Sequence, residues 1–352
     1  MRGTTTQVSS KISKMGRKIV QFYITLISCT LTFGVILSFC VFPKMWNKIF
    51  MRIIFYAAIS IFIANATVFS NSPDDYYLCY FQGVFQQFFY PASWIWTTIL
   101  SYLIYCLVMF GKIEMEELKM HMIGWGIPLL TTLLPMTTST YKRGEDDDGF
   151  CWIESRGDIY NRWTLFWQGL TFAGIAFACA ACMVYWGGRM YYKVRIEKTE
   201  CSPAVRDAMN TLFIYPIIIV LCWLPEALQA VAYPGTPANS PWIIGVTSVA
   251  IFQGGCSAIA FFCTSKETRL NWLNLCITLF PFCARHLTAH AKTTEVAPDR
   301  PTLAYGAYDD FEDDDVYTGK SESAASGTAQ VQVTMSPMGG MRDSTAIDND
   351  VL

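Results

Sequence analysis

Seven long apolar runs constrain the fold of this 352-residue chain more than any other feature. A bilayer core of about 30 Å is crossed by roughly 20 apolar residues of helix. Runs at 19–42, 49–69, 79–110, 121–140, 163–187, 208–232 and 241–263 meet that length. The connectors, 43–48, 70–78, 111–120, 141–162, 188–207 and 233–240, hold most of the Pro, Gly, Asn and charge. None of the runs alternates with period two, which argues against a membrane β-barrel. Helices satisfy every backbone group internally, as lipid demands. The expected fold is an all-α membrane protein. It is a seven-transmembrane helix bundle with a short interfacial eighth helix and a disordered C-terminal tail. Composition agrees: charged residues are 15% of the chain, against roughly 25% in a soluble protein. The net charge of −2 gives no bulk attraction to nucleic acid.

The expected organisation follows the same pattern. Residues 1–18 form a short extracellular N-terminus, 19–263 the bundle, 264–285 a juxtamembrane interfacial helix and 286–352 a disordered cytoplasmic tail. The first run is too long for a signal peptide and lacks a clear small-residue cleavage site, so it stays as the first span. The stretch NWLNLCITLFPFC at 271–283 is too short to span and reads as a helix lying along the interface. A plain juxtamembrane segment is the alternative. Cys276 and Cys283 there are palmitoylation candidates, or simply small buried residues. The tail has an acidic run, Asp309 to Asp315, and then turns rich in Ser and Thr. Ser321, Ser323, Thr334 and Ser336 are candidate phosphorylation sites for a kinase, and clustered phosphates would suit an arrestin-like partner.

Charge and cysteine set the orientation. With the N-terminus outside, the inner loops hold Lys44, Lys48, Lys112, Lys119, Arg189, Lys193, Arg195, Lys198 and Arg206, with Lys266 and Arg269 after the last span, against Lys142, Arg143, Arg156 and Arg162 outside, as the positive-inside rule asks. Five basic residues at the N-terminus, Arg2, Lys11, Lys14, Arg17 and Lys18, pull the other way. Of the 13 cysteines, only Cys79 and Cys151 then lie in or beside outer loops. Facing an oxidising compartment, two such thiols can bridge and pin the loop over the bundle mouth. Two unpaired thiols are the alternative. A multi-pass plasma-membrane protein with a cytoplasmic C-terminus is the expectation.

Polar side chains inside spans are costly and mark candidate sites. Gln82 and Gln86 are four apart on the outer half of span three and share a face, while Gln87 points elsewhere. Glu226 and Gln229 lie on the outer half of span six, and Gln168 near the outer end of span five. Interhelical hydrogen bonding, at about 0.6 kcal/mol each, explains the same residues. In the second outer loop Lys142, Arg143, Arg156 and Arg162 could bind an anion. The adjoining Glu145, Asp146, Asp147 and Asp148 would repel a phosphate and tolerate a cationic or neutral ligand. Pro225 below a turn of helix kinks span six, so Trp223 and Pro225 are a candidate activation hinge. Static bundle shape is the alternative. Arg189, Lys193, Arg195, Lys198 and Arg206 are candidate G-protein contacts, though anchoring at the bilayer surface would select the same residues.

The ordered set of motifs resembles the G-protein-coupled receptors, and in its detail the slime-mould-type cyclic-AMP receptors of class E. It comprises Cys79-Tyr80 opening span three, Trp94-Ile95-Trp96-Thr97 in its middle and Tyr105 below. Trp125-Gly126-Ile127-Pro128-Leu129 in span four, Cys151-Trp152-Ile153, Cys222-Trp223 and Trp272 complete it. The likeness covers roughly residues 20–285. The run Cys222-Trp223-Leu224-Pro225 is closer to the rhodopsin-like receptors. The resemblance implies an extracellular small-molecule ligand, with cyclic AMP as the family's own, and a heterotrimeric G protein as transducer. It implies no enzyme activity and no cofactor.

Other functions fit less well. A retinal protein needs a lysine in the seventh span, and 241–263 has none. A metalloenzyme needs clustered ligands, and the three histidines are His121, His286 and His290, with none paired in a span. A small-solute transporter or channel is the remaining alternative. Pro91 and Gly83 in span three and Gly254-Gly255 in span seven are its candidate helix breaks.

Overall fold

The computed structural model describes residues 2–69, 76–113, 115–138, 141–143, 151–153, 166–196, 209, 211–232 and 240–279. All of them belong to the compact unit Met1–Asp309. Helix α1 is Arg2–Val41, α2 Ile49–Val68, α3 Tyr76–Phe110 and α4 Glu117–Met136. Strands β1, Tyr141–Arg143, and β2, Cys151–Ile153, pair antiparallel. Helix α5, Gly174–Tyr191, is extended at both ends by π-helical turns, Gln168–Ala173 and Tyr192–Ile196. Helix α6 is Ile214–Ala232. The seventh span is two helices, α7 (Pro241–Ile251) and α8 (Gln253–Thr264), and α9 is Lys266–Leu279.

Length and composition alone qualify five of the described helices as spans, or six when the bent pair α7 and α8 counts as one. The seventh is α4, whose first two turns carry Glu117, Lys119 and His121. It is held in the bundle by close packing on α3: a Cβ on Gly124 would lie 2.5 Å from the Trp96 ring. The bundle matches the sequence expectation, and its departures are local. Residues 2–18 are helical and continuous with the first span. Span four begins and ends four residues early, because Thr137 and Thr138 already turn toward β1. The expected interfacial helix begins at Lys266, five residues ahead of the apolar stretch.

Sequence explains the punctuation. Pro43 opens a 3-10 turn between α1 and α2, and Pro241 sits at the first turn of α7 behind Ser240, positions that need no backbone donor. Gly111 takes φ 74° after α3, a conformation glycine adopts freely. Helix α3 runs unbroken through Pro91. It is the central element, with 20 buried residues, among them Trp94, Trp96, Leu100, Leu103 and Ile104. The larger apolar core surrounds it, fed by Phe39, Ile53, Ile61, Phe172, Ile219 and Phe261 from the neighbouring helices, and a smaller one under the hairpin joins Tyr141, Ile153 and Trp167 to Tyr80 and Val84 of α3.

Candidate functional site

One end of the bundle is closed by the β-hairpin. Cys79, in the first turn of α3, is disulfide-bonded to Cys151 of β2. The Cys151 N–H donates to Gln82 Oε1 at 3.3 Å, and Gln82 Nε2 donates to the Thr67 carbonyl at 3.0 Å. Gln82 therefore ties the hairpin to α3 and α2. Under β1, the Tyr141 hydroxyl donates to the Thr132 carbonyl at 2.9 Å. Burial pushes that phenol well above its ordinary range. Trp167 Nε1 reaches Thr138 Oγ1 at 2.8 Å.

Two layers stack beneath the hairpin. Helices α3 and α6 run antiparallel, so Gln86 and then Tyr90 descend α3 while Glu226 and then Trp223 descend α6. The lower layer is aromatic. Trp223 lies 4.9 Å from Tyr90, 4.7 Å from Trp94 and 5.9 Å from Phe172, ring centre to ring centre. The upper layer is polar. Thr247 of α7 donates to the Glu226 carboxylate at 3.2 Å. Gln86 is 4% exposed, and its Nε2 has no hydrogen-bond partner. Trp94 Nε1 is also buried without a partner. Buried donors left open cost about 1–3 kcal/mol each, and such groups call for a specific explanation.

A polar knot lies deeper, at the break in the seventh span. Between α7 and α8 the helix bends by 40°, and the Gly255 N–H to Ile251 carbonyl bond of a continuous helix is open. Ser28 fills it. Gly255 N–H donates to Ser28 Oγ at 3.1 Å, and the Ser28 hydroxyl donates to the Ile251 carbonyl at 3.1 Å. Asn65 Nδ2 donates to the same carbonyl at 3.2 Å and to Ser28 Oγ at 3.0 Å. The Tyr90 hydroxyl donates to Asn65 Oδ1 at 3.0 Å. A side chain inserted into the helical ladder is a known cause of a kink. In lipid the freed backbone groups must find partners of this kind. Trp223 Nε1 donates to Gln253 Oε1 at 3.3 Å, which joins α6 to the first turn of α8. Helices α1, α2, α3, α6 and the broken span thus meet in one network. Beside it a cavity of about 20 Å3, bordered by Thr32, Tyr215, Gln253 and Ser257, has room for a single water.

At the end opposite the hairpin, cations tie the helices. Lys193, in the π turn after α5, donates to the Met109 carbonyl at 2.7 Å, one of the last carbonyls of α3 that no helical bond satisfies. Arg52 donates to the Trp46 carbonyl at 3.0 Å and to Glu117 at 3.2 Å. Lys48 pairs with Glu267 of α9 at 2.7 Å, and Trp272 Nε1 donates to Ser38 Oγ at 2.8 Å.

The structure brings together only part of the set expected from sequence. Gln82 is engaged by the hairpin and Thr67, Gln86 stands one turn further along α3, and Glu226 lies one turn from Trp223 on α6 beside Thr247. Gln168 begins the π turn before α5, half-buried, and Gln229 lies one turn beyond Glu226. Pro225 lies within an unbroken α6. Arg189 is exposed near the end of α5, Lys193 holds the end of α3, and Arg195 is in the π turn. Lys142 and Arg143 are in β1, opposite Trp152 and Cys151. Cys276 is exposed on α9. Arg156, Arg162, Lys198, Arg206, Cys283, Ser321, Ser323, Thr334, Ser336 and the expected disordered tail from 286 lie outside the described residues.

Ser28, Asn65, Tyr90 and Gln253 are the residues that sequence reasoning missed. A signal for the first existed: Gln21, Thr25, Ser28 and Thr32 are all buried, a polar stripe at helical spacing in an otherwise apolar span. Gln87, set aside as pointing elsewhere, donates to the Thr171 carbonyl at 3.1 Å in the π turn. Among the described residues, no three His, Cys, Asp or Glu side chains stand together as metal ligands do.

Comparison with known proteins agrees with this architecture. The family model described as 7 transmembrane receptor (Secretin family) matches residues 16–228. G-protein coupled receptor 1 of Arabidopsis thaliana is 23% identical over 246 residues, 67% of this chain and 74% of the relative. Cyclic AMP receptor 2 of Dictyostelium discoideum is 24% identical over 230 residues, 62% of this chain and 58% of the relative. The crystal structure of squid rhodopsin superposes with a TM-score of 0.59 at 14% identity, over 82% of this chain and 93% of the rhodopsin. At that identity the rhodopsin likeness speaks for the fold alone.

Proposed function

The chain belongs to the secretin family of seven-transmembrane receptors, and from that premise we propose that it senses an extracellular small molecule and activates a heterotrimeric G protein. Its N-terminus and the β-hairpin face outward, and the ends of α5 and α6 near Lys193 and Ile214 face the cytoplasm. The observation that carries this reading is the network at the seventh-span break. Tyr90 and Trp223 form the floor under the polar layer and also hold Asn65 and Gln253 at the break. A ligand that shifts the floor therefore acts on the joint that sets the angle of α8.

The mechanism is a population shift. A ligand moves the balance between two bundle states only by its differential affinity for them. In the resting state Lys193 fastens the end of α5 to the end of α3. In the signalling state that tie opens and the inner ends part to admit the transducer. The cyclic-AMP receptor among the relatives makes a cyclic nucleotide one candidate ligand. The acidic residues Glu145, Asp146, Asp147 and Asp148 oppose a phosphate.

The test uses the full chain in lipid discs with purified G heterotrimer, and a tag at the N-terminus in intact cells. The expected outcome is faster guanine-nucleotide exchange than with empty discs, and a tag reached from outside without permeabilisation. Exchange no faster than with empty discs across several G-protein classes would overturn the coupling. A tag reached only after permeabilisation would overturn the orientation.

A further inference from the structure

We propose that the layer between Gln86 and Glu226 is the ligand site and that it takes a cationic group, an alkyl- or arylammonium. This deepens the receptor reading and rests on its assignment of the ligand to the bundle mouth. Three independent observations point the same way.

The first is a carboxylate without a counter-charge. Glu226 is the only charged residue in α3, α6, α7 and α8. Its partner is the neutral hydroxyl of Thr247. A carboxylate inside a membrane bundle ordinarily pairs with a cation or lines a pathway. The second is the floor. Tyr90 and Trp223 lie one turn below, packed on Trp94 and Phe172 with neighbouring ring centres 4.7–5.9 Å apart. The faces of tyrosine and tryptophan rings attract ammonium groups. The third is the open donor. Gln86 stands one turn above Tyr90, as Glu226 stands one turn above Trp223, so the two side chains share a level. Gln86 Nε2 nevertheless bonds nothing. It is one turn below Gln82, which is held by the hairpin. The Gln86 donor suits a hydroxyl or carbonyl oxygen on the same ligand, beside the ammonium at Glu226. By sequence the approach is acidic on balance: the first two outer connectors hold Asp74, Asp75, Glu145, Asp146, Asp147, Asp148, Glu154 and Asp158 against Lys142, Arg143, Arg156 and Arg162. Such a field concentrates cations at a mouth.

The test needs no knowledge of the natural ligand. Gln86→Cys is introduced into the purified full chain in detergent, where both ends of the bundle are open to reagent. It is treated with two thiol reagents of similar size, methanethiosulfonate ethylammonium and methanethiosulfonate ethylsulfonate. The wild-type chain supplies the background of native thiols. The expected result is labelling by the cation at least about tenfold faster than by the anion, from the Coulomb field of one nearby carboxylate. Adding Glu226→Gln should remove that preference while leaving the cysteine reactive. Thr247→Cys, on the other side of Glu226, serves as a second reporter in case Gln86→Cys fails to fold. A reporter that folds but is unreactive toward both reagents overturns the site. Equal rates, or a preference for cation that survives Glu226→Gln, overturn its cationic selectivity. Because the experiment measures no nucleotide exchange, its failure is separate from a failure of G-protein coupling.

Discussion

At the residue scale the decisive side chains are small. Gly254 lets α8 approach α1 and α2 so closely that a Cβ there would sit 2.9 Å from Thr32 Oγ1 and 3.0 Å from Ser28 Oγ. Gly254→Ala should lower stability by about 1–3 kcal/mol, the usual cost of overpacking a filled core, read as a lower unfolding midpoint in lipid discs. Ser28→Ala removes the only hydroxyl that both accepts from Gly255 and donates to Ile251. It strands the Gly255 N–H, since Asn65 reaches only the carbonyl side of the break, at about 1–3 kcal/mol. A midpoint unchanged by both substitutions would show that the break is not held as described. The sequence offered Gly254-Gly255 as a candidate break under a transporter reading, and the break falls just ahead of that pair, at Phe252. Its partners were not legible, because Ser28 and Asn65 lie 223 and 186 residues from Ile251 and hydropathy does not report which helix faces meet.

At the element scale, each span was visible as an apolar run because lipid imposes length and composition. Helix boundaries were less visible. Span four appeared to continue to 140 because Thr137 and Thr138 are no more polar than Thr131 and Thr132 within the helix, while hydrogen bonding turns the chain at Met136. The π turns left no mark on the sequence pattern, although they aim Thr171 at Gln87 and Lys193 at Met109. Lys193 read from sequence as a basic residue of the connector after span five and a candidate G-protein contact, and the structure adds a bond from it to the end of α3. Lys193→Ala should raise ligand-free nucleotide exchange several-fold, because about 1 kcal/mol less for the closed state moves the balance by roughly that factor. An unchanged basal rate at equal surface expression would mean that the tie does not restrain the inner end.

At the scale of the whole molecule, the bundle is a set of helices joined at three levels: the hairpin at one end, the network at the break, and the cationic ties at the other end. The disulfide closes a separation of 72 residues. Cys151→Ser should therefore cost about 2–4 kcal/mol, in line with bridges over long loops. It should also free the hairpin from the mouth, read as a lower unfolding midpoint. Family and overall architecture were legible from the ordered motifs. The polar network was not, since its members are ordinary residues whose meaning comes from meeting at one point.

The central claim is that this network carries the state of the mouth to the inner end. The most direct measurement is basal guanine-nucleotide exchange by the reconstituted chain carrying Asn65→Ala, which removes the group shared by Tyr90, Ser28 and Ile251. Thr30→Ala, on the exposed face of α1, serves as control. The account predicts a several-fold change in basal rate for Asn65→Ala and none for Thr30→Ala. Equal rates in wild type and both variants, with all three folded and at equal density, would contradict it.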